Sequence, residues 1–216
     1  MKQLLKRSFQ LEAEIGRLLD LPAPVDSARE SMSKIMCSIA IEHASSAKVL
    51  IGAGNKTAAV SLFRLQYEAL VRAIWLIHAA SQAQIDALSE PINESNFKRI
   101  NNQQRSLSQM LKDLDAPPPE DPDGQLPKHI LLSLQEIKES SWTLLCSMVH
   151  GGVMALQTHA VDFPSRSLET LIKHSNGISC LTANLLIIIS ADSSFSGYTT
   201  KLYKSFPDCL PIPEKA

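Results

Sequence analysis

Arg64, Glu68, Arg72, Trp75 and His78 recur along the stretch FRLQYEALVRAIWLIHAA, residues 63–80. Arginines of this kind can hold an anion, a carboxylate can balance them, and an imidazole can move a proton near neutral pH. An α-helix turns by about 100° per residue, so with Arg64 at zero, Glu68, Arg72, Trp75 and His78 fall at roughly 40°, 80°, 20° and −40°. Ser61 falls near roughly 60° by the same count. The opposite face is Leu62, Leu65, Ala69, Leu70, Ala73, Leu76 and Ile77. The helix is therefore a core element with one polar stripe. Glu68 has an arginine four residues away on either side, the spacing at which helical side chains meet. Trp75 and Val71 share the stripe, which suits a partly buried polar seam better than a fully wetted face. A solvated face with ordinary ion pairs is the alternative.

A second group sits in TLLCSMVHGGVMALQT, residues 143–158. Read as one helix, it places Thr143, Ser147 and Gln157 on the side of His150. Gly151 and Gly152 then fall in mid-helix, where each costs roughly 1 kcal/mol against Ala. Such a pair marks a kink or a close approach of another backbone. His43 lies on a helix face with Met36, Ile39, Ala47 and Leu50 and also reads as a packed core histidine. The remaining histidines, His129, His159 and His174, have no company of this kind.

The elements that must position these groups are helical. Residues 2–20 carry a broken apolar stripe. Ser27 stands three residues before Glu30, a capping-box spacing that opens a second helix to about Leu50, which ends at GAGN with Gly52 and Gly54 as cap residues. A third helix is expected unbroken from Lys56 to about Leu88, and a polar one from Asn96 to Leu114. A helix from Lys128 leads into the glycine-bearing segment, and a last core helix spans about Leu168–Ala191. The proline-rich stretch 115–127 is expected as a loop and 200–216 as an irregular tail. No period-two strand pattern appears. The expectation is an all-α, single-domain bundle of six or seven helices over residues 1–216.

Composition excludes several classes. The formal net charge is −1, so no global field draws the chain to nucleic acid or acidic lipid. Cys37, Cys146, Cys180 and Cys209 are scattered; the first three sit in apolar helical patterns and read as reduced, buried thiols. The N-terminus lacks a signal-peptide pattern. The most apolar run, Ile178–Ala191, is too short to cross a bilayer. These features predict a cytoplasmic protein that does not enter a membrane. No paired Cys/His spacing, HExxH, GxSxG or phosphate-binding glycine loop is present, which predicts no metal and no cofactor.

Three pieces taken together, IEHASSAKVLIGAGNKTAAVSLFRLQYEALVRAIWL, SSWTLLCSMVHGG and the helical order around them, resemble an uncharacterised bacterial all-helical family, a domain of unknown function. The pattern is also similar to abortive-infection V and HEPN-type (higher eukaryotes and prokaryotes nucleotide-binding) helical domains. The resemblance marks His43, Arg64, Glu68, Arg72, His150 and Gly151 as signature positions and implies an HEPN-like bundle. Many HEPN domains are ribonucleases with an R-x4–6-H motif, which Arg72 and His78 formally fit. Relatives of that type commonly dimerise, and the apolar surface left by the later helices points the same way. Three functional readings follow. One is a non-enzymatic helical protein acting by association with a second copy or another protein, in a bacterial defence or stress context. The second is a metal-independent ribonuclease acting on RNA, with His150, His78 and Arg72 as candidate catalytic groups. The third is a sensor of an anionic small molecule whose pocket is the seam of Arg64, Glu68, Arg72, Trp75, His43, Ser147, His150 and Gly151.

Overall fold

α3, Lys56–His78, is the helix on which the rest is built. Its polar stripe does not face open water: Val71 and Trp75 are as buried as Leu70 and Ala73 on the other side, because neighbours cover the helix all round. α2 (Ala28–Gly52) lies along it as the most extensive pairing in the molecule, and α9 (Ser165–Ser190) and α7 (Lys128–Val149) pack beside it. α1 (Lys2–Gly16), continued by a 3-10 turn over 17–20, closes the α2–α9 side. α4 (Gln82–Ser89), α5 (Phe97–Gln103) and α6 (Leu107–Asp115) are short; α6 packs back onto α3. α8 (Val153–Val161) follows α7, and α10 (Tyr198–Ser205) docks on α9. The computed structural model describes residues 1–22, 27–116 and 126–211. Among them the chain is a single all-α body of ten α-helices without strands.

The six or seven helices expected from periodicity are therefore too few, and each extra break has a local cause. The expected 56–88 helix stops at His78 because Ser81 opens a new one: its hydroxyl accepts from Gln84 N, and the Gln84 side chain accepts from Ser81 N at 2.8 Å. Ser106 and Gln109 divide the expected 96–114 helix in the same way. Both are capping boxes with the S-x-x-Q spacing that sequence displays. Ser27 is the N-cap of α2, but its side chain makes no capping bond. The glycine pair ends a helix rather than sitting inside one: α7 stops at Val149, Gly151 takes φ +62°, and α8 leaves at 79°. Part of the tail expected to be irregular is α10, followed by buried Phe206, Cys209 and Leu210. Most of the proline-rich loop, residues 117–125, and the last five residues of the tail lie outside the described residues.

Two apolar clusters form the core. The larger joins α1, the C-terminal half of α3, α6, the start of α7, α9 and the α10 segment. The smaller joins Ala47 and Ile51 of α2, Ala59, Val60 and Phe63 of α3, and Leu145 and Met148 of α7 with Phe163 and Leu168. Cys37, Cys180 and Cys209 are buried in this body, whereas Cys146 is only half-buried. Burial pushes the Cys37 and Cys180 thiols up to about 12. By length and composition alone α2 could cross a membrane, although a third of its most apolar window is buried inside the protein.

Candidate functional site

The polar stripe of α3 divides into two environments. At its N-terminal half, Arg64 Nε donates to Glu68 Oε1 at 2.9 Å, and Arg64 Nη1 lies 3.0 Å from His150 Nε2. The guanidinium sits 4.6 Å over the Trp142 ring of α7, and Trp142 in turn meets Tyr67 edge-on. Arg64 is 15% exposed and Glu68 31%, so the group is a half-covered surface seam. His150 is exposed at the end of α7, where the turn through Gly151 leaves it.

Arg72 belongs to the other environment. It donates no hydrogen bond to any described residue. Glu68 therefore bonds Arg64 alone instead of bridging both arginines, and it acts on Arg72 only through its charge. Burial pulls the Arg72 guanidinium below its ordinary value, with the Glu68 charge opposing the fall. Arg72 and Trp75 line a cavity of about 260 Å³ whose far walls come from α4, α5 and the bend before α6. Its apolar surface comes from Trp75, Ala83, Ala87, Leu88 and Ile100; Gln84, Gln103, Gln104 and Arg105 supply the polar groups. Trp75 Nε1 donates to Asp113 Oδ2 at 3.0 Å, and Arg105 Nε lies 3.3 Å from the same oxygen. That second contact lacks hydrogen-bond geometry, so the buried Arg105 Nε is ion-paired yet has no acceptor.

The other proposed seam members do not join either group. The Ser147 hydroxyl accepts from Met154 N at 3.0 Å and so serves the first turn of α8. His43 is half-buried on α2 and makes no hydrogen bond to Arg64, Glu68 or His150. Gln157 is exposed on α8, beyond the bend, and does not share a helix face with His150. His78 is the last residue of α3.

A second cavity, about 380 Å³, lies at the start of α3. There Lys56 Nζ is 2.6 and 2.7 Å from the two Asp162 oxygens, and Thr57 Oγ1 is 3.2 Å from His159 Nδ1. The Lys56 bond and the Phe163 backbone N–H hold the Asp162 carboxyl below the usual range. The lysine at this mouth already has its counter-ion, in contrast to Arg72.

Sequence reasoning missed a buried polar set altogether. Lys48 Nζ donates to Glu12 Oε1 at 2.6 Å and to Ser175 Oγ at 3.2 Å. Ser175 Oγ donates to Gln66 Oε1 at 2.6 Å, and Gln66 Nε2 donates to the Ser175 carbonyl and to Ser179 Oγ. Asn176 Nδ2 donates to Ser8 Oγ and to the Cys209 carbonyl. These residues come from distant parts of the chain, and no spacing along the sequence joins them; the lysine in HASSAKVLI, set just before an apolar run, is the one outward sign. Neither of the two cavities is lined by Lys48 or Gln66. The set ties four helices together.

Residues 37–212 match a family described as a family of unknown function (DUF6988), and the chain belongs to that family. No link to HEPN or abortive-infection V domains accompanies the match. Neither a curated protein nor a solved structure matches the chain.

Proposed function

We propose that this protein binds a small anionic molecule in the cavity between α3, α4 and the α5–α6 bend. Arg72 carries the reading. It is a half-buried guanidinium with no hydrogen bond to any described residue, at the wall of a concave, mostly apolar space. Its nitrogens stay solvent-accessible donors, and a partly desolvated guanidinium with no counter-ion bonded to it among the described residues is a ready partner for an anion in the cavity. The buried Arg105 Nε without an acceptor supports the same reading, because a ligand oxygen would complete it. Apolar walls with a few converging polar groups are the usual character of small-molecule sites. Of the three readings drawn from sequence, this is the sensor of an anionic ligand, with the pocket moved away from Arg64 and His150.

Arg72→Gln tests it. The variant should keep its helical circular dichroism and lose small-anion binding by about tenfold or more, the size of one charge-assisted contact. Calorimetric titration of both proteins against a panel of carboxylates and phosphates decides the matter. Equal binding by the variant, or no binding of any anion by the native chain, overturns the proposal.

A further inference from the structure

Resting on the anion-binding reading above, we infer that the ligand is a small monoanion with an apolar body, an aryl or alkyl carboxylate rather than a phosphate ester. The charges around the cavity give the first reason. Arg105 is balanced by Asp113 at 3.3 Å, and Asp113 is held in place by Trp75 Nε1 at 3.0 Å. On the other side, Glu68 is committed to Arg64. Among the described residues Arg72 is the guanidinium of this wall without an ion-pair partner, so the wall offers one net positive charge to an occupant. A dianion would bring a second negative charge close to the fixed Asp113 carboxylate and meet no further cation that lacks a counter-ion, since Arg105 is already paired with Asp113.

The donors give the second reason. Phosphate groups are commonly held by free backbone N–H groups at a helix start. Here α4 and α6 both begin with capping boxes, in which Ser81 and Ser106 take the Gln84 and Gln109 amides and are taken in turn, so two of the four N–H groups at each start are already spent. The polar lining beyond the arginines is three glutamine side chains, which are neutral. Gln84 spends its Oε1 on Ser81 N, which leaves its NH2 as a donor. The body of the ligand would lie against Trp75, Leu88 and Ile100, where apolar contact area supplies affinity. At about 260 Å³ the space lies just below the usual range of ligand pockets, which suits only a small molecule.

Matched probes separate this inference from the reading beneath it. The full chain is titrated with phenylacetate, phenyl phosphate in its dianionic form, inorganic phosphate and 2-phenylethanol, followed by backbone amide NMR shifts. Phenylacetate should bind at least about tenfold more tightly than the other three, with shifts centred on α4 and the α5–α6 bend. Tighter binding of either phosphate overturns the carboxylate assignment and leaves the anion cavity standing. Equal binding of 2-phenylethanol and phenylacetate means that charge is not recognised and overturns both, as does the failure of every probe. Asp113→Asn is the second arm: it keeps an acceptor for Trp75 and releases the Arg105 charge. Phenyl phosphate should then gain about tenfold relative to phenylacetate. An unchanged ratio means that Asp113 does not set the charge of the site and overturns the inference.

Discussion

Arg64 and Arg72 lie two helical turns apart and have opposite fates. Arg64 has a carboxylate, an imidazole and an indole face, whereas Arg72 has only the field of Glu68 and a cavity. Because Arg64 is mostly covered but Glu68 is a third exposed, Arg64→Ala should cost about 1–2 kcal/mol, the sum of one solvent-screened ion pair and one cation–π contact. The coupling between Arg64→Ala and Glu68→Ala in a double-mutant cycle should stay below about 1 kcal/mol. Denaturant melts of the two single variants and the double measure both quantities. A coupling near zero would leave the stacking on Trp142 as the main role of Arg64. The four-residue spacing made the Arg64–Glu68 pair legible in the sequence. It could not show that Glu68 would choose one arginine over the other, because that choice is made by Trp142 and His150, some 80 residues away in the chain.

Helix ends decide more of this architecture than helix faces do. The α7–α8 elbow depends on Gly152, where an added Cβ would lie 2.6 Å from Ser147 Oγ and 3.2 Å from its carbonyl oxygen. That hydroxyl accepts from Met154 N, so Gly152→Ala displaces a cap as well as crowding a backbone. The expected loss is about 2–3 kcal/mol, the sum of overpacking and a lost cap. Gly151→Ala should cost about 1 kcal/mol, since its Cβ would meet open space and only its left-handed φ of +62° is penalised. Thermal melts of the two variants should therefore rank Gly152→Ala as the weaker protein; the reverse order would mean that the turn, not the close approach, is what glycine serves here. The GG pair was visible in sequence, but its effect was not: a kink within one helix and a full break look the same in periodicity. The boxes at Ser81 and Ser106 were legible by their spacing, yet both fall inside longer helical patterns that mask them. The cavity depends on those two breaks, so its walls from α4 to α6 could not be assembled from faces alone.

At the scale of the whole molecule, the apolar pattern carried the all-α class and the central helix, while the buried polar set that joins α1, α2, α3 and α9 left almost no trace. Burial lowers the Lys48 pKa from 10.5, with Glu12 opposing. The unfolded chain then keeps this proton to higher pH than the folded one, so the Lys48 contribution to stability rises with pH between its lowered folded value and 10.5. The buried Cys37 and Cys180 thiols act the other way above their ordinary 9.0 but do so equally in a Lys48→Met variant and cancel in the difference, whereas the Cys209 thiol feels the Lys48 charge, so the comparison is made below pH 9.0. Stability of the native chain relative to Lys48→Met should thus increase as pH rises, and Glu12→Gln should lose about 3–5 kcal/mol at neutral pH by leaving the buried cation unpaired. Denaturant titrations across pH check both, and a pH-independent difference would mean that Lys48 stays charged throughout. The seam and the cavity, finally, each hold one of the two tryptophans: Trp142 beneath Arg64, and Trp75 in the cavity wall with its indole N–H on Asp113. The chain therefore contains two native light emitters in chemically different places, one beneath a cation and one beside a carboxylate. A Trp142→Phe protein has a single emitter, and its colour and lifetime report on the space beside Arg72 without any added dye.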